Sequence, residues 1–166
     1  MKRLYLLRHA QANHGGTSDK LRSLTTQGHS DAASMGAVMA RQNYVPDYIL
    51  CSPATRTKQT LQNLCSSDII CPRAEEPQDL YNASTSYILQ AIQEIDDAHG
   101  SLLVVAHNPG IHYLAAKLTS ADSPEELSIK LFSEYAPATL SVFDCPIEHW
   151  ADLKLERNAL IDVVTP

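Results

Sequence analysis

An arginine and a histidine, Arg8 and His9, stand side by side directly after the apolar run Leu4–Leu7. A second histidine, His107, follows another apolar run, Leu102–Ala106, and a third polar group, Ser52 to Arg56, follows Tyr48–Cys51. These residue types suit phosphate. Each arginine presents a planar fork to phosphoryl oxygens. Neighbouring cations lower the pKa of an imidazole, which keeps it neutral and nucleophilic near pH 7. His9 could then attack phosphorus directly, with Arg8 and Arg56 as donors to the oxygens and His107 converging on the same ligand. Two arginines and two histidines in one pocket are also an electrostatic liability without an anion, so phosphate or sulfate is expected there. Residues so far apart in the chain meet only if the fold brings them together, and the elements around them decide that.

Leu4–Leu7 is apolar on both faces, as in a strand at the centre of a covered sheet. The stretch QANHGGTSDKLRS reads as a mobile loop beside Arg8 and His9. A first helix is capped by Thr25 or Thr26, carries Ala32, Met35, Gly36 and Met39 at helical spacing, and ends near Asn43. DYILCSP is a second strand, and Pro53 fits the entry to a helix over ATRTKQTLQNL. SDIIC is a third strand, and TSYILQAIQEIDDA places Ile88, Ile92 and Ile95 on one helical stripe. SLLVVAHNPG is a fourth strand running into a turn, with Pro109 opening a helix through Leu118. TLSVFD and WADLKLER, with no helix signal between them, are expected to pair antiparallel.

Strand alternating with helix predicts an α/β fold in one domain over residues 1–166, with a mostly parallel central sheet, an antiparallel edge and helices on both faces. In such a sheet the ends of strands one, two and four open on the same edge, where ligands bind. That edge gathers Arg8, His9, Ser52, Arg56, His107 and Asn108.

The chain has 166 residues, with 13 Lys+Arg against 19 Asp+Glu and a formal charge of −6. No global field draws it to nucleic acid or to an anionic membrane, and any anion must be held by a local cluster. No apolar run approaches a membrane span or a signal-peptide core, so a soluble cytoplasmic protein is expected. Cys51, Cys65, Cys71 and Cys145 show no C-x-x-C pair. They signal neither a zinc site nor a dense disulfide framework, and read as buried small apolar residues.

Four motifs in order resemble the histidine phosphatase, or phosphoglycerate-mutase-like, superfamily. LLRHA stands at the family's Arg-His-Gly, LTTQG at its Leu-Thr-x-x-Gly, SPATRTKQT at its Ser-Pro-x-x-Arg-x-x-x-Thr, and VVAHNPGI at its second histidine motif. The resemblance implies the superfamily's fold, phosphorylation of His9, phosphoryl binding by Arg8, Arg56 and His107, hydrolysis by water, and no metal or cofactor. Ala10 replaces the usual glycine, which matters only if the backbone there needs a positive φ. Ser52 and Asn108 join as substrate-binding candidates. Arg22 either lines the mouth of the pocket or is solvated. His14, His29, His99, His112 and His149 read as surface or helix histidines.

Many relatives carry a carboxylic acid after the third strand to protonate an alcohol leaving group. The stretch here is QDLYNAS, with Asn82 at the acid's place. Either Asp79, Glu75 or Glu76 substitutes, or the leaving group needs no acid. An imidazole leaves more readily than an alkoxide because its nitrogen is far less basic. The missing acid and the short chain are similar to the SixA-type phosphohistidine phosphatases, which implies a partner protein bearing phosphohistidine, such as a phosphotransfer domain or a phosphocarrier. The alternatives are a small-molecule phosphomonoesterase and a phosphate-binding regulatory module without turnover.

Overall fold

The computed structural model describes residues 1–15, 18–65 and 71–166. Its elements are β1 (Lys2–Arg8), α1 (Thr26–Arg41), β2 (Tyr48–Cys51), α2 (Thr55–Leu64), β3 (Ala74–Glu75), α3 (Thr85–Gln93), β4 (Ser101–Ala106), α4 (Gly110–Leu118), α5 (Glu125–Ser133), β5 (Leu140–Cys145) and β6 (Ala159–Val164). The six strands form one sheet in the order β3-β2-β4-β1-β5-β6. β1 pairs parallel with β4, and β2 parallel with β4 and β3, whereas β5 runs antiparallel to both β1 and β6. The expected architecture, a largely parallel sheet flanked on one side by antiparallel pairing, is observed.

Alternation along the central strands explains why their sequences are apolar throughout. Leu4 and Leu6 of β1, with Leu102, Val104 and Ala106 of β4, pack under α3, α4 and α5. Tyr5, Leu7, Leu103 and Val105 point to the other face and pack against Met35 and Met39 of α1 and Leu64 of α2. Each strand therefore buries both faces, which requires helices on both sides.

Thr25 caps α1, its side chain accepting from the Gly28 N–H at 3.0 Å. Gly28 also has a packing reason, because a Cβ there would meet the Gln11 carbonyl oxygen at 2.1 Å. The start of α1 is thereby pressed against the chain leaving β1. α2 opens within one residue of the expected start, and α4 begins directly after Pro109.

Four expectations need correction. The carboxyl-terminal strand is Ala159–Val164, while Trp150–Asp152, at the start of WADLKLER, forms a 3-10 turn that buries Trp150 completely. Helix α5 is additional to the expected elements, and Pro124-Glu125-Glu126 opens it with acidic residues in the first turn. Cys65 and Cys71 form a disulfide across a separation of six residues, while Cys51 and Cys145 are buried thiols as expected. In a reducing cytoplasm the pair would be held as thiols. The segment 11–23 is not simply loose, since Ala12 bridges to Leu24 and Asp19–Leu21 forms a 3-10 turn. The expected strand SDIIC lies outside the described residues except for Cys71, and the described third strand is Ala74–Glu75. No helix among the described residues is long and apolar enough to cross a membrane.

Candidate active site

The register aligns Arg8 with Ala106 and Cys51 with Val105, so His9, Ser52 and His107 leave three adjacent parallel strands at one level. The two imidazoles face each other with ring centroids 5.2 Å apart. Backbone hydrogen bonds fix this edge: His9 N–H donates to Ala106 O at 3.1 Å, and Ser52 N–H donates to Val105 O at 3.0 Å. Thr60 of α2 braces the next residue, its hydroxyl accepting from Ala10 N–H at 2.9 Å and donating to Arg56 O at 2.7 Å. Ala10 is fully buried and lies outside the positive-φ region, so the missing glycine costs the backbone nothing here. The strained position is Ala138 (φ 62), whose N–H donates to His9 O.

The partner of His9 sets its tautomer. His9 Nδ1 lies 2.7 Å from the Ala10 carbonyl, which can only accept, so Nδ1 carries the proton and Nε2 keeps its lone pair. His107 Nε2 lies 2.6 Å from the hydroxyl of fully buried Ser52, and its Nδ1 is buried without a partner. The Ser52 hydroxyl can donate to Nε2, because its oxygen is free to turn its hydrogen that way. His107 Nδ1–H is then a donor with nothing to donate to. Burial is the chief cause bringing His9 down to about 4, with Arg56, Arg8 and Arg22 adding to it. His107 falls to about 3, again chiefly through burial and then through His9 and Arg56. Both rings are neutral at pH 7.

The arginines have backbone partners as well. Arg8 donates through Nη1 to Tyr135 O at 2.7 Å and leaves a buried Nε–H unpaired. Arg56, 4% exposed, also has an unpaired buried Nε. Asn108 Nδ2 donates to the same Tyr135 carbonyl at 3.1 Å, while its Oδ1 has no partner. Two unpaired buried donors, Arg8 Nε and Arg56 Nε, and the unpaired ring nitrogen His107 Nδ1 are costly in an interior where polar groups are normally paired. The structure brings together His9, His107, Ser52, Arg56 and Arg8. It ties Asn108 to the Arg8 support, and it places Ser52 behind His107.

Two contributors escaped the sequence reading. Asp19 accepts from Arg56 Nη2 at 3.1 Å, Arg22 Nη1 at 2.9 Å and Tyr81 Oη at 2.5 Å, and its main-chain carbonyl accepts from Arg56 Nη1 at 2.7 Å. The Tyr81 hydroxyl and then Arg22 hold the Asp19 carboxyl well below the usual carboxylate range. Tyr81 lies edge-on to His107 at 5.6 Å between centroids and under the Arg56 guanidinium at 5.9 Å. The cationic cluster is thus partly compensated in the protein itself, contrary to the expectation of an uncompensated pocket. Arg22 is anchored rather than solvated, donating through Nε to Asn13 O at 2.6 Å.

The segment read for an acid presents Tyr81 to the site instead. Asn82 is exposed with φ 50, a left-handed turn position that asparagine tolerates, so its residue type answers to backbone geometry. Gly110 lets this segment close on α4, since a Cβ there would meet Ala83 O at 2.1 Å. Glu75, Glu76 and Asp79 are exposed, and Glu76 pairs with Lys58 at 3.3 Å. Of the other histidines, His29 bonds Asn63 and His112 bonds Leu131 O, while His149 pairs with Asp97.

Residues 4–77 match the model of the histidine phosphatase superfamily (branch 1). The phosphohistidine phosphatase SixA of Escherichia coli is 31% identical over 127 residues, covering 73% of this chain and 76% of that protein. An uncharacterized protein of Mycobacterium tuberculosis, Rv1276c, is 30% identical over 161 residues, covering 96% and 99%. A solved structure from Nakamurella multipartitia, described as a candidate phosphohistidine phosphatase SixA, superposes with a TM-score of 0.88 at 27% identity, covering 99% and 96%. The chain belongs to the histidine phosphatase superfamily and is a phosphatase of its SixA-like group.

Proposed function

We propose that the protein removes the phosphoryl group from phosphohistidine in a partner protein, through a covalent phosphohistidine on His9. The observation that carries this reading is the His9 tautomer: with Nδ1–H given to Ala10 O, the bare Nε2 is the atom available to phosphorus. Nε2 attacks, the N–P bond of the substrate breaks, and its electron pair leaves on the substrate imidazole, which takes a proton from solvent. The Arg8 and Arg56 guanidinium groups, close enough to act on the His9 ring, and the His107 ring beside it are the groups that stabilise charge on the phosphoryl oxygens. Water then attacks phospho-His9, releases inorganic phosphate, and restores the neutral ring. Splitting the transfer in two replaces one difficult displacement by two easier ones.

The same site favours a weakly basic leaving group. Its bonded carboxylate, Asp19, is held ionised at neutral pH, and Glu75, Glu76 and Asp79 are exposed. Tyr81 is raised by its bond to Asp19 and is a poor proton donor. The SixA relative of Escherichia coli carries the name of the same activity.

A panel at equal phosphoryl concentration tests the substrate class. Phosphohistidine protein and phosphoramidate should be cleaved well, aryl phosphates slowly and alkyl phosphates hardly at all. Equal rates on alkyl phosphate and phosphohistidine would replace this reading with a small-molecule phosphomonoesterase.

A further inference from the structure

The contacts of Arg56 show an unusual division of labour. Each of its Nη atoms donates to one residue, Nη1 to the Asp19 carbonyl at 2.7 Å and Nη2 to the Asp19 carboxylate at 3.1 Å, while Nε is buried and unpaired. A carboxylate has the charge and planar acceptor geometry of two phosphoryl oxygens, and so is the natural competitor for a guanidinium fork. Asp19 is itself held from two further directions, by Arg22 at 2.9 Å and by Tyr81 at 2.5 Å. Its side chain is 48% exposed, whereas that of Arg56 is 4% exposed. The anion thus comes from a surface turn and reaches in to a buried cation.

We propose that Asp19 is a resident anion that competes with phosphate for Arg56 and thereby sets how weakly the site holds free phosphate and product. The proposal rests on the phosphoryl-binding reading of the site. A phosphoryl group that takes the full Arg56 fork must displace the Asp19 carboxylate, and one that binds beside it meets its charge. A covalently presented phosphoryl group, brought in by a docked partner, carries extra binding contacts to offset that displacement. Inorganic phosphate has none. The consequence is selectivity against free phosphate, and quick release of product, arising from one side chain that touches no reacting atom.

Calorimetric titration of the whole protein with inorganic phosphate tests this without any need for turnover. Asp19→Asn should bind phosphate about fivefold more tightly than wild type, the upper end of the scale for an ion pair at a half-exposed site. Asp19→Glu, which keeps the charge, should stay within about twofold of wild type. In the Arg56→Ala background, Asp19→Asn should change phosphate affinity little, because the contested fork is gone. Loss of turn structure alone would weaken binding, so only a gain supports the competitor role. Wild type that binds phosphate through Arg56 while Asp19→Asn binds equally or more weakly would overturn the inference and leave the site intact. Phosphate binding indifferent to Arg56→Ala would overturn both.

Discussion

The site has two halves built on different physical principles. His9, Ser52 and His107 stand at the ends of three buried parallel strands and are held by hydrogen bonds among neutral groups, which for His9 define the tautomer. Asp19, Arg22 and Tyr81 come from a short turn and a neighbouring segment, are partly exposed, and are held chiefly by charge. A strand end in a packed sheet cannot shift without disturbing the core, so it suits atoms that must meet phosphorus in a fixed geometry. A charged turn at the surface can exchange one anion for another at little cost. On the proposed reading, bond-making sits on the sheet, and the turn modulates how tightly an anion is held.

The comparison breaks most sharply at His9. His9→Ala should abolish turnover while leaving thermal unfolding cooperative, because the side chain supplies the bond-forming nitrogen rather than core volume; near-normal activity would end the covalent mechanism. His107→Ala should lower the rate by roughly 10²- to 10³-fold, the scale of one preorganised donor. Ser52→Ala should cost about tenfold in kcat, since the lost hydroxyl is one hydrogen bond that holds the His107 ring. An unchanged kcat in that variant would detach Ser52 from the chemistry. Asp19→Asn should instead act chiefly on phosphate affinity.

The smallest effect is on stability against pH. In the folded protein His9 and His107 titrate near 4 and 3, below the ordinary histidine value of 6.5. As pH falls below about 6.5 the unfolded chain therefore takes up protons that the folded chain refuses. Their contribution is fully present above that pH and is lost progressively down to the folded values. Urea midpoints at pH 7, 5.5 and 4.5 should fall in that order, and His9→Ala should fall less steeply. Identical slopes in the two proteins would show that His9 is not neutral in the fold.

Much of this was legible in the sequence, for a definite reason. Apolar runs that end in polar groups, as at Leu7-Arg8-His9 and Ala106-His107, report both a covered strand and the sheet edge where it stops. The strand-end half of the site was therefore visible. The turn half was not, because Asp19 and Tyr81 lie in stretches whose pattern signals only a loop, and their role depends on a meeting 62 positions apart. The nearest available sign was Asp19 three residues before Arg22, an ion-pair spacing realised at 2.9 Å. Asn82 occupies a left-handed turn position that asparagine tolerates, and its residue type gave no sign that Tyr81, one residue earlier, faces His107. WADLKLER carries a strand-like pattern, but its apolar residues serve the buried turn around Trp150 and Leu153, and the strand follows at Ala159–Val164. The disulfide partners gave no spacing signal at all.

The central claim is a phosphoryl group carried on His9. Brief exposure of wild-type protein to a phosphohistidine protein, quenched at alkaline pH where phosphohistidine survives and read by intact-mass and fragment-ion spectrometry, measures it directly. The account predicts a single phosphate on the peptide bearing His9, absent from His9→Ala and accumulating when hydrolysis is slowed. Turnover of substrate with no covalent phosphate, or with phosphate on His107 instead, would contradict it.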